Sequence, residues 1–147
     1  MFTLARDPVA AGVVTSLARP GGNVTGLSAQ STELVGKRLE LLREIIPSLR
    51  QLAVMYNASN PNVALEAREV QAAARTLDLQ VATFEIRRAE DIAGVFEKLR
   101  DRAEALYIAA DPLVIANRIR INTLALAARL PTMFAQREHV DAGGLIA

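Results

Sequence analysis

Gln51-Leu52-Ala53-Val54-Met55-Tyr56, followed at once by Asn57-Ala58-Ser59-Asn60-Pro61-Asn62, decides how this chain is read. The first six residues form an almost continuous apolar run, the pattern of a strand buried on both faces. The polar loop then enters a helix with Asn60 as N-cap and Pro61 at the first position, where the missing N–H costs nothing. That helix carries Val63, Ala67, Val70, Ala74 and Leu77 along one face.

Downstream the alternation repeats. Gln80–Ile86 reads as a strand and Glu90–Arg102 as a helix with Ile92, Val95, Phe96 and Leu99 turned inward. Ala105–Ala109 reads as a strand, Leu113–Leu130 as one helix, and Thr132–Ala135 as a strand. Arg137–Ala142 reads as a short helix, and Leu145 starts a final strand. Upstream, Asp7 caps a helix over Pro8–Leu17, Arg19-Pro20-Gly21-Gly22-Asn23 is a turn, and Val24–Leu27 is a brief strand. A helix then runs from about Thr32 to Ile46, with Val35, Leu39, Leu42 and Ile46 at helical spacing before Pro47 ends it. Strands and helices alternating through short connections predict an α/β fold: an open parallel sheet with helices on both faces, a Rossmann-like three-layer sandwich. Such sheets bind ligands at the carboxyl ends of their strands, where strand order reverses. The loops to inspect are therefore 57–62, 87–90, 110–114 and 136–139.

Composition narrows the function classes. The 147 residues suit one domain with a substantial core. Half are apolar, but charges interrupt the aliphatics well short of the ~20-residue run a membrane helix needs. Seventeen basic and sixteen acidic residues nearly cancel and are scattered, which argues against nucleic acid as a partner. With 4% aromatics and no Trp, base-stacking platforms are also disfavoured. No cysteine is present, so disulfides and thiolate metal sites are excluded while the redox compartment stays open. Met1 to Asp7 lacks the features of a signal peptide, yet both termini read as the interior of a longer protein.

Catalytic constellations are missing. Gly21-Gly22 and Gly143-Gly144 lack the spacing of a nucleotide-binding fingerprint, and neither a phosphate-binding loop nor a nucleophile elbow occurs. His139, the only histidine, has no second histidine or cysteine to share a metal with and reads as a surface or helix-end residue. A phosphoacceptor receiver shares the strand–helix alternation, but its first loop would need paired acids. Here that loop is Asn57-Ala58-Ser59-Asn60, and Asp111 alone cannot hold the required magnesium. No enzyme, metal or cofactor is expected.

What remains is a binding surface. Asn57, Ser59, Asn60 and Asn62 crowd one loop ahead of a helix N-terminus, where amides, a hydroxyl and unpaired backbone N–H groups suit a carboxylate or other polar ligand group. Asn60 serves equally well as a plain helix cap, and the others as a solvated turn. Asp111 closes the third strand of the alternation, where it could receive a ligand ammonium or cap the next helix. Asn23-Val24-Thr25 and Asn57-Ala58-Ser59 match the glycosylation sequon, a short pattern that is frequent by chance.

Several segments together carry a family likeness. These are Asp7-Pro8-Val9, then Ser16-Leu17-Ala18-Arg19-Pro20-Gly21-Gly22-Asn23-Val24-Thr25-Gly26, then Gly36-Lys37-Arg38-Leu39-Glu40-Leu41-Leu42. They continue with Tyr56-Asn57, Asn60-Pro61-Asn62, Ala73-Ala74-Arg75, Asp111-Pro112-Leu113, Leu130-Pro131 and Gly143-Gly144-Leu145. Taken end to end, the chain resembles the substrate-binding proteins of bacterial ABC transporters, whose better-understood members bind aromatic amino acids such as tryptophan. The resemblance implies a periplasmic-binding-protein type I fold of two α/β lobes closing on a small-molecule solute. It also implies export to the periplasm or cell envelope, solute import and delivery to an ABC permease. It places residues 1–30 at the end of the first lobe and its crossover, and 31–147 in a second lobe truncated at its carboxyl end. It places Asn57, Ser59, Asn62 and Asp111 in the cleft and Asp7 at the lobe junction. A lone lobe is expected to bind solute weakly or not at all, and to self-associate as a homodimer through its orphaned surface. The second reading is a cytoplasmic ligand-sensing domain of a transcriptional regulator or sensor built on the same lobes.

Overall fold

The computed structural model describes residues 2–5, 26–28, 33–135 and 137–144. The chain divides into two compact units, Met1–Val35 and Gly36–Ala147. In the first, strands β1 (Phe2–Ala5) and β2 (Gly26–Ser28) pair in parallel. The helix expected over 8–17 and the turn at 19–23 lie outside the described residues, and β2 overlaps the expected strand at Gly26 and Leu27 and ends one residue later.

After α1 (Glu33–Ile45), the second unit is built from β3 (Gln51–Asn57), α2 (Pro61–Thr76), β4 (Gln80–Ile86), α3 (Asp91–Leu99) and β5 (Ala105–Ile108). It continues through α4 (Pro112–Ala116), α5 (Arg118–Ala127), β6 (Thr132–Phe134) and α6 (Glu138–Asp141). The four strands form one parallel sheet in the order β4-β3-β5-β6. The α/β parallel sheet read from the sequence is therefore present. Central β3 buries Leu52, Ala53, Val54 and Met55, and β5 buries all four of its residues, which is why both read as unbroken apolar runs. β4, at an edge, buries only Ile86 and mixes polar residues into its length.

The two faces are covered by different helices. Ala53, Met55, Leu106, Ile108 and Phe134 project into one core with Ile92, Val95, Phe96 and Leu99 of α3 and Ile121 and Ala125 of α5. Alternation along a strand sends the intervening side chains to the other face, where the buried Tyr107 hydroxyl donates to buried Glu66 of α2 at 3.1 Å. Arg43 of α1 ties that helix to the end of α2 by donating to the Leu77 carbonyl at 2.7 Å. The amino ends of β3 and β5 are clamped by Glu104. Its Oε2 accepts from the backbone N–H groups of Arg50 and Gln51 at 2.6 and 3.0 Å, which hold its carboxyl below the usual carboxylate range.

Two sequence expectations need correction. The helix expected over 113–130 is two helices, α4 and α5, parted at Asn117. There the side-chain Nδ2 donates to the Leu113 carbonyl at 2.8 Å, competing with the backbone ladder. His139 lies in α6 but is not at the surface: it is 1% exposed and stacks on Phe134 with ring centroids 4.3 Å apart. Asn122 holds the turn in place by donating to the carbonyls of His139 and Ala142, each at 3.0 Å. Gly144 then passes so close that a Cβ would stand 2.5 Å from the Phe134 ring.

Candidate functional site

Sheet topology selects the place to look. The chain moves from β3 outward to β4, then crosses back past β3 to β5 and on to β6, so strand order reverses between β3 and β5. Loops leaving two such neighbouring strands diverge and open a crevice at their carboxyl ends. Five of the six residues singled out from the sequence sit there. Asn57 ends β3, Ser59, Asn60 and Asn62 follow it, and Asp111 lies just beyond β5. Asp7 lies outside the described residues.

Each loop is shaped by its own polar residues. Asn57 Oδ1 accepts from the Ser59 N–H at 2.9 Å, and its carbonyl accepts from the Asn60 N–H at 3.2 Å, which folds the chain back at the strand end. Asn60, in extended conformation, caps α2 by accepting from the Asn62 N–H at 3.2 Å, with Pro61 next in line. Asp111, also extended, caps α4 by accepting from the Leu113 N–H at 2.9 Å. The capping roles that the sequence left open for Asn60 and Asp111 are thus both present.

The two loops are also joined to each other. Asn57 Nδ2 donates to Asp111 Oδ1 and Asn60 Nδ2 donates to Asp111 Oδ2, each at 2.9 Å. Asp111 is only 3% exposed, so these bonds, with that from Leu113, solvate a carboxylate that water does not reach. No sequence pattern forecasts such a bridge, because its partners lie 51 and 54 residues apart.

One expectation about the chemistry is overturned here. The first turn of α2 does not hold out unpaired N–H groups. Pro61 has none, Asn62 N–H meets Asn60 Oδ1, and those of Val63 and Ala64 meet the Asn60 carbonyl at 3.1 and 3.0 Å. Ala58 N–H continues the sheet by donating to the Ile86 carbonyl at 3.0 Å. Asn60 consumes the donors that the helix dipole would otherwise present. The polar groups facing outward are the side chains of exposed Ser59 and Asn62, with partly buried Asn57 and Asn60 behind them.

Neighbouring loops complete the edge. Asp91 Oδ2 accepts from the N–H groups of Arg87 and Arg88 at 2.8 and 2.9 Å, which fasten the β4–α3 loop and hold its carboxyl below the ordinary value. Desolvation, and then the bond it donates to Glu85 at 2.9 Å, raise the Tyr56 phenol. Arg38 of α1, part of the family likeness but not one of the expected site residues, reaches the end of β6 and donates to the Ala135 carbonyl at 3.0 Å. A cavity of about 330 Å³ lies away from this edge, beside Pro131 and Thr132 at the amino end of β6. Among the described residues, no group of three or more His, Asp or Glu side chains is placed to hold a metal.

The model of the family described as "ABC transporter substrate binding protein" matches residues 1–147. The chain belongs to that family. A curated relative, a tyrosine-binding protein of Clostridioides difficile, is 27% identical over 99% of this chain. The chain spans 41% of that relative's length. Among solved structures, a conserved domain protein from Vibrio cholerae is 26% identical, with a TM-score of 0.81 over 95% of this chain and 47% of that one. The ligand-free, open structure of a Clostridium difficile substrate-binding protein with adhesive properties is 28% identical. It has a TM-score of 0.80 and covers 97% of this chain and 48% of that one. A Streptococcus domain in complex with L-Trp, at 24% identity and a TM-score of 0.79 over 96% of this chain and 48% of its own, shares the fold.

Proposed function

We propose that this chain supplies one side of a solute-binding cleft in an ABC import system, and that the loop of residues 57–62, held in place by Asp111, grips the solute. The observation that carries this reading is the position of that polar cluster, at the strand-order reversal of a substrate-binding-family sheet. On this reading residues 31–147 form a second lobe and residues 1–30 the end of a first lobe with its crossover, Asp7 marking the junction. The protein works outside the cytoplasm and passes its solute to a membrane permease.

The chemistry favours a small zwitterion of the amino-acid type. The loop's backbone N–H groups are already spent, so little is left to bind an anion. The buried carboxylate of Asp111 instead makes the edge electronegative, which suits an ammonium group approaching Asn57, Ser59 and Asn62. The tyrosine and tryptophan named for its relatives make aromatic amino acids the first solutes to test.

An amide-resolved NMR titration of the 147-residue chain with L-tryptophan and L-tyrosine tests this directly. Shifts centred on residues 57–62 and 111–113 are expected, with unchanged spectra on adding acetate or indole alone. Shifts centred on the cavity beside Pro131, or none at millimolar amino acid, would refute the assignment.

A further inference from the structure

We infer that Asp111 is a positioning residue: a buried carboxylate that locks the β3–α2 and β5–α4 loops into one body, rather than the group that meets the solute. This deepens the solute-binding reading and rests on it for its functional consequence. Three donors converge on this side chain, Asn57 Nδ2, Asn60 Nδ2 and Leu113 N–H, from both sides of the strand-order reversal. With 3% exposure, the carboxylate has no open approach for an ammonium unless one amide is displaced. Displacing either amide would release more than one bond. Asn57 and Asn60 use their Nδ2 on Asp111 and their Oδ1 on the Ser59 and Asn62 N–H groups. Asp111 therefore fixes which way each amide faces, since a carboxylate accepts only, and both Nδ2 groups must turn toward it. The amide oxygens are then committed to the loop backbone, and Ser59 and Asn62 are held where they project outward. Both loops respond together, because neither can shift without breaking the bridge.

The test exploits the donor–acceptor logic. Asp111→Asn keeps the shape and can still accept from Leu113 and Asn57, but it sets one NH2 against that of Asn60. Adding Asn60→Asp reverses both partners: the substituted side chain at 111 now donates to the one at 60, which still accepts from the Asn62 N–H. In the ligand-free protein, hydrogen exchange of the Ser59, Asn62 and Leu113 backbone amides is expected to quicken about tenfold in Asp111→Asn. It is expected to return to within about twofold of the original in the double variant. Unchanged exchange in the single variant, or no recovery in a folded double variant, overturns the bridge. Should the single variant fail to fold, the double variant and the original chain still decide. Rapid exchange of the Asn57 side-chain NH2 in the unsubstituted protein would itself overturn the inference.

L-tryptophan binding, read by the same spectra, separates positioning from contact. Positioning predicts weakening of about tenfold in the single variant and recovery in the double one. Weakening in both, with exchange protection restored in the double, means that the carboxylate touches the solute at position 111, and overturns the inference. Failure of the unsubstituted chain to respond to either amino acid sinks the solute reading, while the exchange arm still judges the bridge.

Discussion

Tyr107 is a large, fully buried side chain, and its hydroxyl is committed to Glu66, itself 1% exposed. Burial first, and the Glu66 carboxylate second, push this phenol well above the ordinary tyrosine value. Because the folded-state value lies above the unfolded one, the associated stability is fully present below pH 10.0 and drains away as pH rises through the folded-state value. A 295-nm absorbance titration should therefore resolve the two tyrosines, with Tyr56 ionising first and Tyr107 ionising only as the chain unfolds. Simultaneous ionisation in the native state would contradict the buried placement. Removing the hydroxyl asks the same question at neutral pH. Tyr107→Phe keeps the ring packing but takes a donor from a buried carboxylate, and urea unfolding should show a loss of about 1–2 kcal/mol. His139 is the counterpart that the sequence hid. A single histidine carries no periodic signal, and its burial is imposed by the Phe134 ring stacked on it and by Asn122.

Elements differ in how plainly their sequences announce them. β3 and β5 are legible because burial on both faces demands apolar residues, over Leu52–Met55 in β3 and throughout β5. α3 is legible because Ile92, Val95, Phe96 and Leu99 are all buried, at the spacing a helix imposes. The break between α4 and α5 was not legible. Buried Val114, Ile121 and Ala125 fit one continuous helical face, so apolar periodicity gives no warning of it. Its cause is a local polar event: Asn117 returns its amide to the Leu113 carbonyl, while its own N–H is shared between the carbonyls of Leu113 and Val114 at 3.2 and 3.1 Å. Asn117→Ala removes that competitor and supplies the best helix former. It should stabilise the second unit by about 0.5 kcal/mol, with a slight gain in helical circular dichroism. A destabilised variant would mean instead that the irregular turn is required to aim α4, and with it Asp111, at the candidate edge.

At the scale of the molecule, the architecture was far more legible than the site. Alternating strand and helix patterns suffice for a parallel sheet and for the edge at which to look, because both follow from local periodicity and a topological rule. The wiring of that edge was not legible. Whether Asn60 Nδ2 meets solvent, solute or Asp111 depends on contacts across 51 residues, which no local pattern encodes. The same wiring limits what the edge can do by itself. Tight small-molecule sites bury roughly 70–90% of their ligand, and one open sheet edge covers a solute from one side only. The relatives reach about twice this length, the chain covering 41% of the curated relative and 48% of two solved structures. In the solute reading, the opposing wall of the cleft is supplied by a partner lobe that closes over the ligand. These 147 residues alone should consequently bind L-tryptophan or L-tyrosine only in the millimolar range, where NMR detects binding but titration calorimetry at micromolar protein shows no saturable heat. Micromolar affinity by calorimetry would mean that this edge encloses its ligand unaided, and the division of the cleft between two lobes would have to be abandoned.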